Sequence, residues 1–197
     1  MSIEEIALEV IAGEWGTGIE RRARLTEAGY NYAEVQDEVN RILKSKNTQR
    51  DRIINKAQKE IGVMEKPANS NNVKYNTWYY GHEVSGAAYP WCAVFISWIF
   101  DGTGLCKKTA SCAEMLEWFE ARSQIVKDPR PGDIVFFRYA TNARRTNHVG
   151  LVIDVKGNTL TTIEGNTSKD SNDNGGKVMR RKRSSKIVGY ARPKYES

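Results

Sequence analysis

The chain has 197 residues, of which 40% are hydrophobic, and a formal net charge of +6. This length allows one large domain, or a small domain followed by a medium one. No apolar run approaches the roughly 18 residues that span a bilayer, so no membrane insertion is expected. The first residues lack the basic and apolar segments of a signal peptide, which predicts synthesis in a cytoplasm. Three cysteines, an odd number, do not suggest a disulfide framework.

The charge is unevenly distributed along the chain. Residues 1–43 carry nine acidic and four basic residues, a balance of −5, whereas the remainder carries +11. This shift predicts two units with different partners, and the basic unit favours polyanions such as nucleic acid, a membrane surface or an acidic cell wall. The sharpest basic cluster, Arg180-Arg181-Lys182-Arg183, fits a solvated strand edge better than a polyanion site, because no aromatic residues are interleaved.

Hydrophobic periodicity predicts the elements of both units. The first unit, residues 1–43, is expected to be a small three-helix bundle with helices near 3–11, 20–28 and 32–43. A polar linker is expected at 44–51. The second unit, 52–197, is expected to be α+β, with helices packed on an antiparallel sheet. Its predicted helices are 51–61, 92–102 and 111–122, and the last of them begins with a Ser111–Glu114 capping box. Segment 65–81 is predicted to be irregular. The predicted strands are 134–139, 148–155, 159–165, 177–181 and 187–192.

Cys92 follows a turn at Pro90 and precedes a long apolar helical pattern. A thiol at a helix N-terminus ionises more easily than the free side chain, whose pKa is about 8.5. His148 opens a predicted strand, and Glu164 and Asn166 lie on the next one, so cysteine, histidine and a polar orienting group occur in the order of a thiol hydrolase. The other histidine, His82, lies in the irregular segment.

The geometry of the hairpin between these two strands decides whether they form a site. A three-residue loop at Lys156-Gly157-Asn158, or a β-bulge, places His148 opposite Asn166 with Glu164 diagonal on the same face. A two-residue turn alone would place both partners on the opposite face from the imidazole.

Four blocks resemble, in the same order, the CHAP family of cysteine- and histidine-dependent amidohydrolases/peptidases that cut peptidoglycan. They are Tyr89-Pro90-Trp91-Cys92-Ala93-Val94-Phe95, Pro131-Gly132-Asp133-Ile134-Val135-Phe136-Phe137, Asn147-His148-Val149-Gly150 and Glu164-Gly165-Asn166. The resemblance covers residues 52–195 and implies a papain-like fold. The Cys-Gly-Ser-Cys signature of papain is absent, so the resemblance is to the bacterial and phage branch.

The resemblance implies roles for individual residues. Cys92 is the expected nucleophile, His148 the general base, and Glu164 the group that orients the imidazole with Asn166 in support, although either could take that role. The oxyanion is expected to bind the backbone N–H of Cys92 and a side chain of segment 72–76, with Asn72 and Tyr75 as candidates. Cys106 and Cys112 are interpreted as packing residues, and a disulfide between them is expected only in an oxidising compartment.

Residues 3–43 resemble the cell-wall-binding repeat of certain phage lysozymes. The match rests on Val10-Ile11-Ala12-Gly13-Glu14-Trp15-Gly16, Glu20-Arg21, Arg24-Leu25, Ala28-Gly29-Tyr30-Asn31-Tyr32, Val35-Gln36 and Val39-Asn40. Such repeats usually lie C-terminal and in tandem, whereas here one copy lies at the N-terminus. The candidate wall-binding residues are Trp15, Arg24, Tyr30 and Gln36, of which Trp15 and Tyr30 also fit a place in the core.

Together the resemblances predict a phage-type endolysin that is released to the wall by a holin. N-acetylmuramoyl-L-alanine amidase is preferred to a stem or cross-bridge endopeptidase. A non-catalytic wall-binding protein and a nucleic-acid-binding protein are two competing hypotheses. The expected partner is peptidoglycan, with no specific nucleic acid and no cofactor.

No metal site is expected in this chain. Residues 66–91 contain one carboxylate, Glu83, whereas calcium requires several oxygen ligands. The oligomeric state is left open.

Overall fold

The computed structural model describes residues 1–46, 48–142, 145–172 and 174–196. The chain divides into two compact units, an N-terminal unit, Met1–Thr48, and a C-terminal unit, Gln49–Ser197. Within the described ranges, no helix has both the length and the apolar character needed to cross a bilayer.

The N-terminal unit is built from three helices, as expected. They are α1 (Ile3–Ala12), α2 (Gly18–Glu27) and α3 (Tyr32–Lys46). A capping box between Ser2 and Glu5 begins α1, and Gly13 ends it in the left-handed conformation, with φ 91°. The three helices enclose a core of Ile6, Ala7, Val10, Leu25, Val35, Val39 and Ile42.

Helices occupy most of the residues predicted to form a linker. The third helix continues to Lys46 instead of ending at residue 43, and α4 already begins at Gln49. Asn47 lies outside the described residues. Polar residues at an exposed helix end give no apolar periodicity, so the pattern stops before the helix does.

The C-terminal unit places its helices before its sheet, which confirms the α+β expectation. The helices are α4 (Gln49–Lys59), α5 (Lys74–Tyr80), α6 (Cys92–Ile99) and α7 (Cys112–Glu120). The strands are β1 (Ile125–Val126), β2 (Ile134–Phe137), β3 (His148–Lys156), β4 (Thr159–Thr167), β5 (Lys177–Arg183) and β6 (Ile187–Ala191). All paired strands are antiparallel, in the order β1-β6-β2-β3-β4-β5. Strand β1 was not predicted, since two residues are too short for a visible alternation.

Helix α6 lies in the main core, between the other helices and the sheet. Its residues Ala93, Val94, Phe95, Ile96 and Ile99 have no exposed surface. It approaches β4 so closely that a Cβ added at Gly165 would lie 2.7 Å from Cβ of Phe95 and 2.8 Å from the Trp91 ring. Glycine at position 165 is therefore required for this packing distance.

Helix α5 lies in the segment 65–81 that was predicted to be irregular. Its sequence, Lys-Tyr-Asn-Thr-Trp-Tyr-Tyr, contains weak helix formers. Tertiary packing stabilises it instead: the buried Tyr75 ring lies 5.5 Å from that of Trp91 and 5.1 Å from that of Phe95. The Tyr75 hydroxyl also donates to Glu60 at 2.6 Å.

The predicted β3–β4 register is realised through a bulge. Lys156 pairs with Thr159, so Gly157 and Asn158 form a two-residue turn, not the three-residue loop. The pairing shifts between Val152 and Asp154, leaving Ile153 as the extra residue, and Leu151 then pairs with Ile163. This register turns His148 and Glu164 to the same face of the sheet, where they contact each other.

The capping box predicted at α7 is only half formed. The Ser111 hydroxyl accepts a hydrogen bond from the backbone N–H of Glu114. The Glu114 carboxylate, however, accepts from Lys107 at 2.9 Å and Thr109 at 3.0 Å, and Thr109 Oγ1 accepts from the Ser111 N–H. A preceding threonine thus supplies the cap that the sequence assigned to Glu114.

We expect Gly165→Ala to destabilise the C-terminal unit by about 1–3 kcal/mol, because the added methyl overpacks α6 against β4. Gly189→Ala is the matched control: it lies in β6, and a Cβ there meets no atom within 4 Å. Urea unfolding of the full-length chain measures the free energy of unfolding of both variants. Equal stability of the two variants would contradict the close packing of α6.

Candidate active site

Cys92 is the first residue of α6 and its side chain is almost fully buried, with 4% of the residue exposed. Its sulfur lies 3.5 Å from the sulfur of Cys112, the first residue of α7, and 4.0 Å from the backbone oxygen of Asn147. Two helix N-termini therefore bring two thiols together. The cysteines are unbridged.

His148 and Glu164 are in direct contact inside the protein. Nε2–H of His148 donates to Oε2 of Glu164 at 2.9 Å, and neither residue has exposed surface. The imidazole and carboxylate lie on neighbouring strands, and Gly150 leaves room between them: a Cβ there would lie 2.7 Å from Cγ of Glu164. Nε2 is thus occupied, and Nδ1, which has no hydrogen-bond partner among the described residues, is the ring nitrogen left for the thiol.

Arg183 holds the other side of the Glu164 carboxylate. Its Nε donates to Oε1 at 2.9 Å and its Nη2 to Oε2 at 2.5 Å, a forked pair in which both partners are buried. Thr162 donates a further hydrogen bond to Oε1. The guanidinium also lies over the rings of Phe137 and Tyr139, at 5.6 and 5.3 Å from their centroids. These contacts fix the carboxylate that orients His148.

The pKa of Cys92 lies well below its ordinary value. The hydrogen bond from Cys112 lowers it most, burial opposes this, and the nearby His148 lowers it further. The same contact, together with burial, raises the pKa of Cys112. Cys92 is therefore the thiolate of the pair, and Cys112 the S–H donor.

The charges of the other two residues follow from the same contacts. Burial alone would lower the pKa of His148, but the nearby Cys92 and the hydrogen-bonded Glu164 outweigh it and raise this pKa to about 9. Burial alone would raise the pKa of Glu164, but Arg183 and His148 outweigh it and lower this pKa to about 2. These directions favour the thiolate form of Cys92, the imidazolium form of His148 and the carboxylate form of Glu164.

The remaining candidates for the catalytic site are placed differently. Asn166 is buried, has a φ of 55°, and neither its amide oxygen nor its amide nitrogen has a hydrogen-bond partner among the described residues. Tyr75 commits its hydroxyl to Glu60 and its ring to the core. Asn72 is half-buried, and its backbone N–H donates to the Ser70 hydroxyl. His82 is exposed.

The four candidate wall-binding residues lie in the N-terminal unit with different exposure. Trp15 and Tyr30 are half-buried against its core and contact each other edge to face at 6.0 Å. Arg24 is exposed and its guanidinium lies 5.9 Å from the Trp15 ring. Gln36 is half-buried, within 3.5 Å of the Tyr32 hydroxyl. Arg24 and Trp15 thus lie next to each other in this unit.

Two residues of the site were missed or misread in the sequence. Cys112 was interpreted as a packing residue, and pairing with Cys106 was considered; Cys112 instead contacts Cys92. Arg183 was assigned to a solvated strand edge. Strand β5 is an edge strand, and Arg180 and Lys182 are exposed, but Arg183 is buried on Glu164. The period-two alternation of β5 is the signal that separates the inward from the outward basic residues.

Within the described ranges, no three His, Cys, Asp or Glu side chains come together in a way that could hold a metal ion.

We expect iodoacetamide to alkylate Cys92 rapidly well below pH 8.5, the usual pKa of a free thiol, because the thiolate persists at low pH. Cys112→Ala should move this profile upward by about one pH unit or more, since a charge-assisted hydrogen bond is lost. Peptide mass spectrometry reads the rate at Cys92 alone, and Cys106→Ser is the control that should leave it unchanged. Coincident profiles for wild type and Cys112→Ala would contradict the donor role of Cys112.

Arg183→Met should destabilise the C-terminal unit by about 3–5 kcal/mol at pH 7, because it leaves a buried carboxylate without its counter-charge. A lowered pKa of Glu164 contributes stability that is present above the unfolded value and lost as the pH falls toward 2. In Arg183→Met, the loss of stability on acidification should begin at a higher pH than in wild type. Urea unfolding between pH 7 and 3 tests both statements.

Arg180→Met is the control for Arg183→Met, since it removes an exposed charge from the same strand. Its effect should stay within about 0.5 kcal/mol. Similar losses in both variants would mean that the ion pair with Glu164 is not what stabilises this region.

Comparison with protein-family models matches residues 4–43 to the CW_7 repeat and residues 84–166 to the CHAP domain. Comparison with curated proteins finds no match. Two similar solved structures are "The crystal structure of Ly7917", with 16% identity and a TM-score of 0.45, and "The crystal structure of Ly7917 with the hydrolyzing product of MDP", with 18% and 0.47. Each alignment covers 74% of this chain and 63% of the other, so the chain spans less than two thirds of either relative.

The matched ranges fall one in each compact unit, and the second contains Cys92, His148 and Glu164. The chain therefore carries a CW_7 repeat followed by a CHAP domain, as the two resemblances implied.

Proposed function

We propose that this chain is a peptidoglycan hydrolase that cleaves an amide bond by a thiol mechanism, with Cys92 as nucleophile, His148 as acid and base, and Glu164 as the positioning residue. The observation that carries the proposal is the buried pairing of His148 with Glu164 in the same CHAP domain as the Cys92 thiol at the start of α6. The CW_7 repeat supports the wall as the place of action.

The reaction follows from the charge state of the site. The Cys92 thiolate attacks the amide carbonyl carbon, and the carbonyl electrons move to oxygen. His148 gives the Nδ1 proton to the leaving nitrogen, the C–N bond breaks, and an acyl thioester remains on Cys92. Neutral His148 then takes a proton from water, whose hydroxide attacks the thioester and releases the carboxylic acid. The thiolate and imidazolium are restored.

The oxyanion is assigned to the backbone N–H of Cys92, at the N-terminus of α6, where amide groups lack intrahelical partners. The Asn72 side chain remains the candidate for a second donor. Tyr75 is less suited to this role, because its hydroxyl donates to Glu60.

Glu164 is preferred to Asn166 as the orienting residue, because its carboxylate accepts the Nε2–H bond of His148. A carboxylate also stabilises the imidazolium, which a neutral amide does not. Asn166 is assigned a supporting role in the backbone beside the site, where its carbonyl accepts from the N–H of Gly175.

The preferred bond is the one between N-acetylmuramic acid and L-alanine. The N-terminal repeat is expected to recognise the sugar–dipeptide end, with Arg24 and Gln36 as contacts, and that end lies next to this bond. A repeat joined to a wall hydrolase is also the arrangement of a phage endolysin, which reaches the wall through a holin. Residues 1–43 would then bind the wall and 52–197 would cut it.

Mass spectrometry of fragments released from purified peptidoglycan tests this proposal. Wild type should release stem peptides that begin at L-alanine, Cys92→Ala should release none, and Cys106→Ala should behave as wild type. Fragments cut inside the stem or bridge, lost in Cys92→Ala, would assign an endopeptidase instead. Release that persists in Cys92→Ala would overturn the thiol mechanism, and no release by wild type from several wall types would favour a binding-only protein.

A further inference from the structure

A cavity of ≈ 330 Å³ lies beside the candidate active site. Pro90, two residues before Cys92, forms part of one wall, and Gly175 and Gly176, which follow β4 and precede β5, form another. The N–H of Gly175 donates to the backbone oxygen of Asn166 at 2.9 Å. The cavity is thus bordered by the segment that leads to the nucleophile and by one tied to the strand of Glu164.

Two buried hydrogen-bond acceptors in the walls of this cavity have no donor. Glu65 uses Oε1 to accept from Trp91 Nε1 at 2.7 Å, but its Oε2 has no partner among the described residues. Asn71 donates through Nδ2 to the backbone oxygen of Gly86 at 3.0 Å, which fixes the amide orientation, and its Oδ1 is likewise without a partner there. Both residues are more than nine-tenths buried.

A buried acceptor without a donor costs free energy, and an ionised one costs most. Of the described residues that line the cavity, Glu65 is the only one with a charged side chain, and the other polar side chains, those of Asn69, Asn71 and Asn174, are neutral amides. A small group with several N–H donors and a positive charge matches Oε2 of Glu65 and Oδ1 of Asn71. A primary ammonium is such a group.

Gly176 leaves space beside the Glu65 carboxylate. A Cβ at this position would lie 3.1 Å from Oε2 and 3.3 Å from Cδ of Glu65, closer than an ordinary contact. The Gly176 backbone also accepts from the N–H of Glu65 at 2.9 Å, which holds the two segments together. Glycine here therefore leaves space next to the oxygen that has no partner.

We propose that this cavity is a substrate subsite in which Glu65 and Asn71 bind a primary ammonium group of the peptide part of peptidoglycan. The subsite rests on the proposed function, since it positions the peptide against Cys92. It makes Glu65 a specificity-determining residue: the enzyme would prefer wall peptides whose amines are free.

Purified peptidoglycan and the same material acetylated with acetic anhydride are the two probes, because acetylation removes the charge and two of the N–H donors of each amine. For the wild-type chain, the initial rate of fragment release at limiting wall concentration should fall roughly tenfold on acetylation, the effect of losing one charged hydrogen bond. Glu65→Gln keeps the acceptor for Trp91 but removes the charge. It should be roughly tenfold slower on untreated wall and insensitive to acetylation.

Gly176→Ala is the second variant, since it obstructs Oε2 without changing any charge, and it should show the same pattern as Glu65→Gln. Glu83→Gln removes an exposed carboxylate and should behave as wild type.

The outcomes separate the subsite from the proposed function. If wild type releases fragments equally well from both walls, or if acetylation slows Glu65→Gln as much as wild type, the subsite is overturned and the hydrolase stands. An acetylation effect that persists in Glu65→Gln arises elsewhere in the chain, for example in the N-terminal repeat. No release from either wall by wild type overturns both proposals.

Discussion

Glu164 is a carboxylate with no exposed surface, and its charge is balanced by Arg183 on one side and His148 on the other. Burying an unpaired carboxylate would be prohibitive, so the three residues are stable only together. Arg183 and His148 lower the pKa of Glu164, Cys92 and Glu164 raise the pKa of His148, and Cys112 and His148 lower the pKa of Cys92. Arg183 therefore acts on the sulfur only through Glu164 and His148, whereas Cys112 contacts it directly.

The sheet supplies the geometry that this series needs. The bulge at Ile153 turns His148 and Glu164 to the same face, and without it the two-residue turn would separate them. Gly150 lets the carboxylate lie across β3, and Gly165 lets α6 approach β4. Cys112 adds an S–H donor from the start of a second helix, which lowers the pKa of Cys92 without adding a charge. A Cβ at Gly150 or Gly165 would lie 2.7 Å from a neighbouring side-chain atom, which is why glycine occurs at both positions.

The sequence predicted what depends on local pattern, namely the three N-terminal helices, the helix of Cys92 and the strands of His148 and Glu164. It did not predict what depends on tertiary contact. Helix α5 forms because the Tyr75 ring packs on Trp91, although its residues are weak helix formers. Arg183 was grouped with its exposed neighbours because a run of basic residues hides the strand alternation. The residues around Cys112 in the chain indicate only a packing role, because its partner Cys92 lies twenty residues away.

The protonation state of His148 tests the central claim most directly. The chain has two histidines, so nitrogen-15 NMR of histidine-labelled protein resolves both rings, with the exposed His82 as an internal reference. The account predicts that His148 is doubly protonated at pH 7 and loses its proton near pH 9, and that Cys92→Ala lowers this pKa because a negative partner is removed. A neutral His148 ring at pH 7 would contradict the thiolate–imidazolium pair.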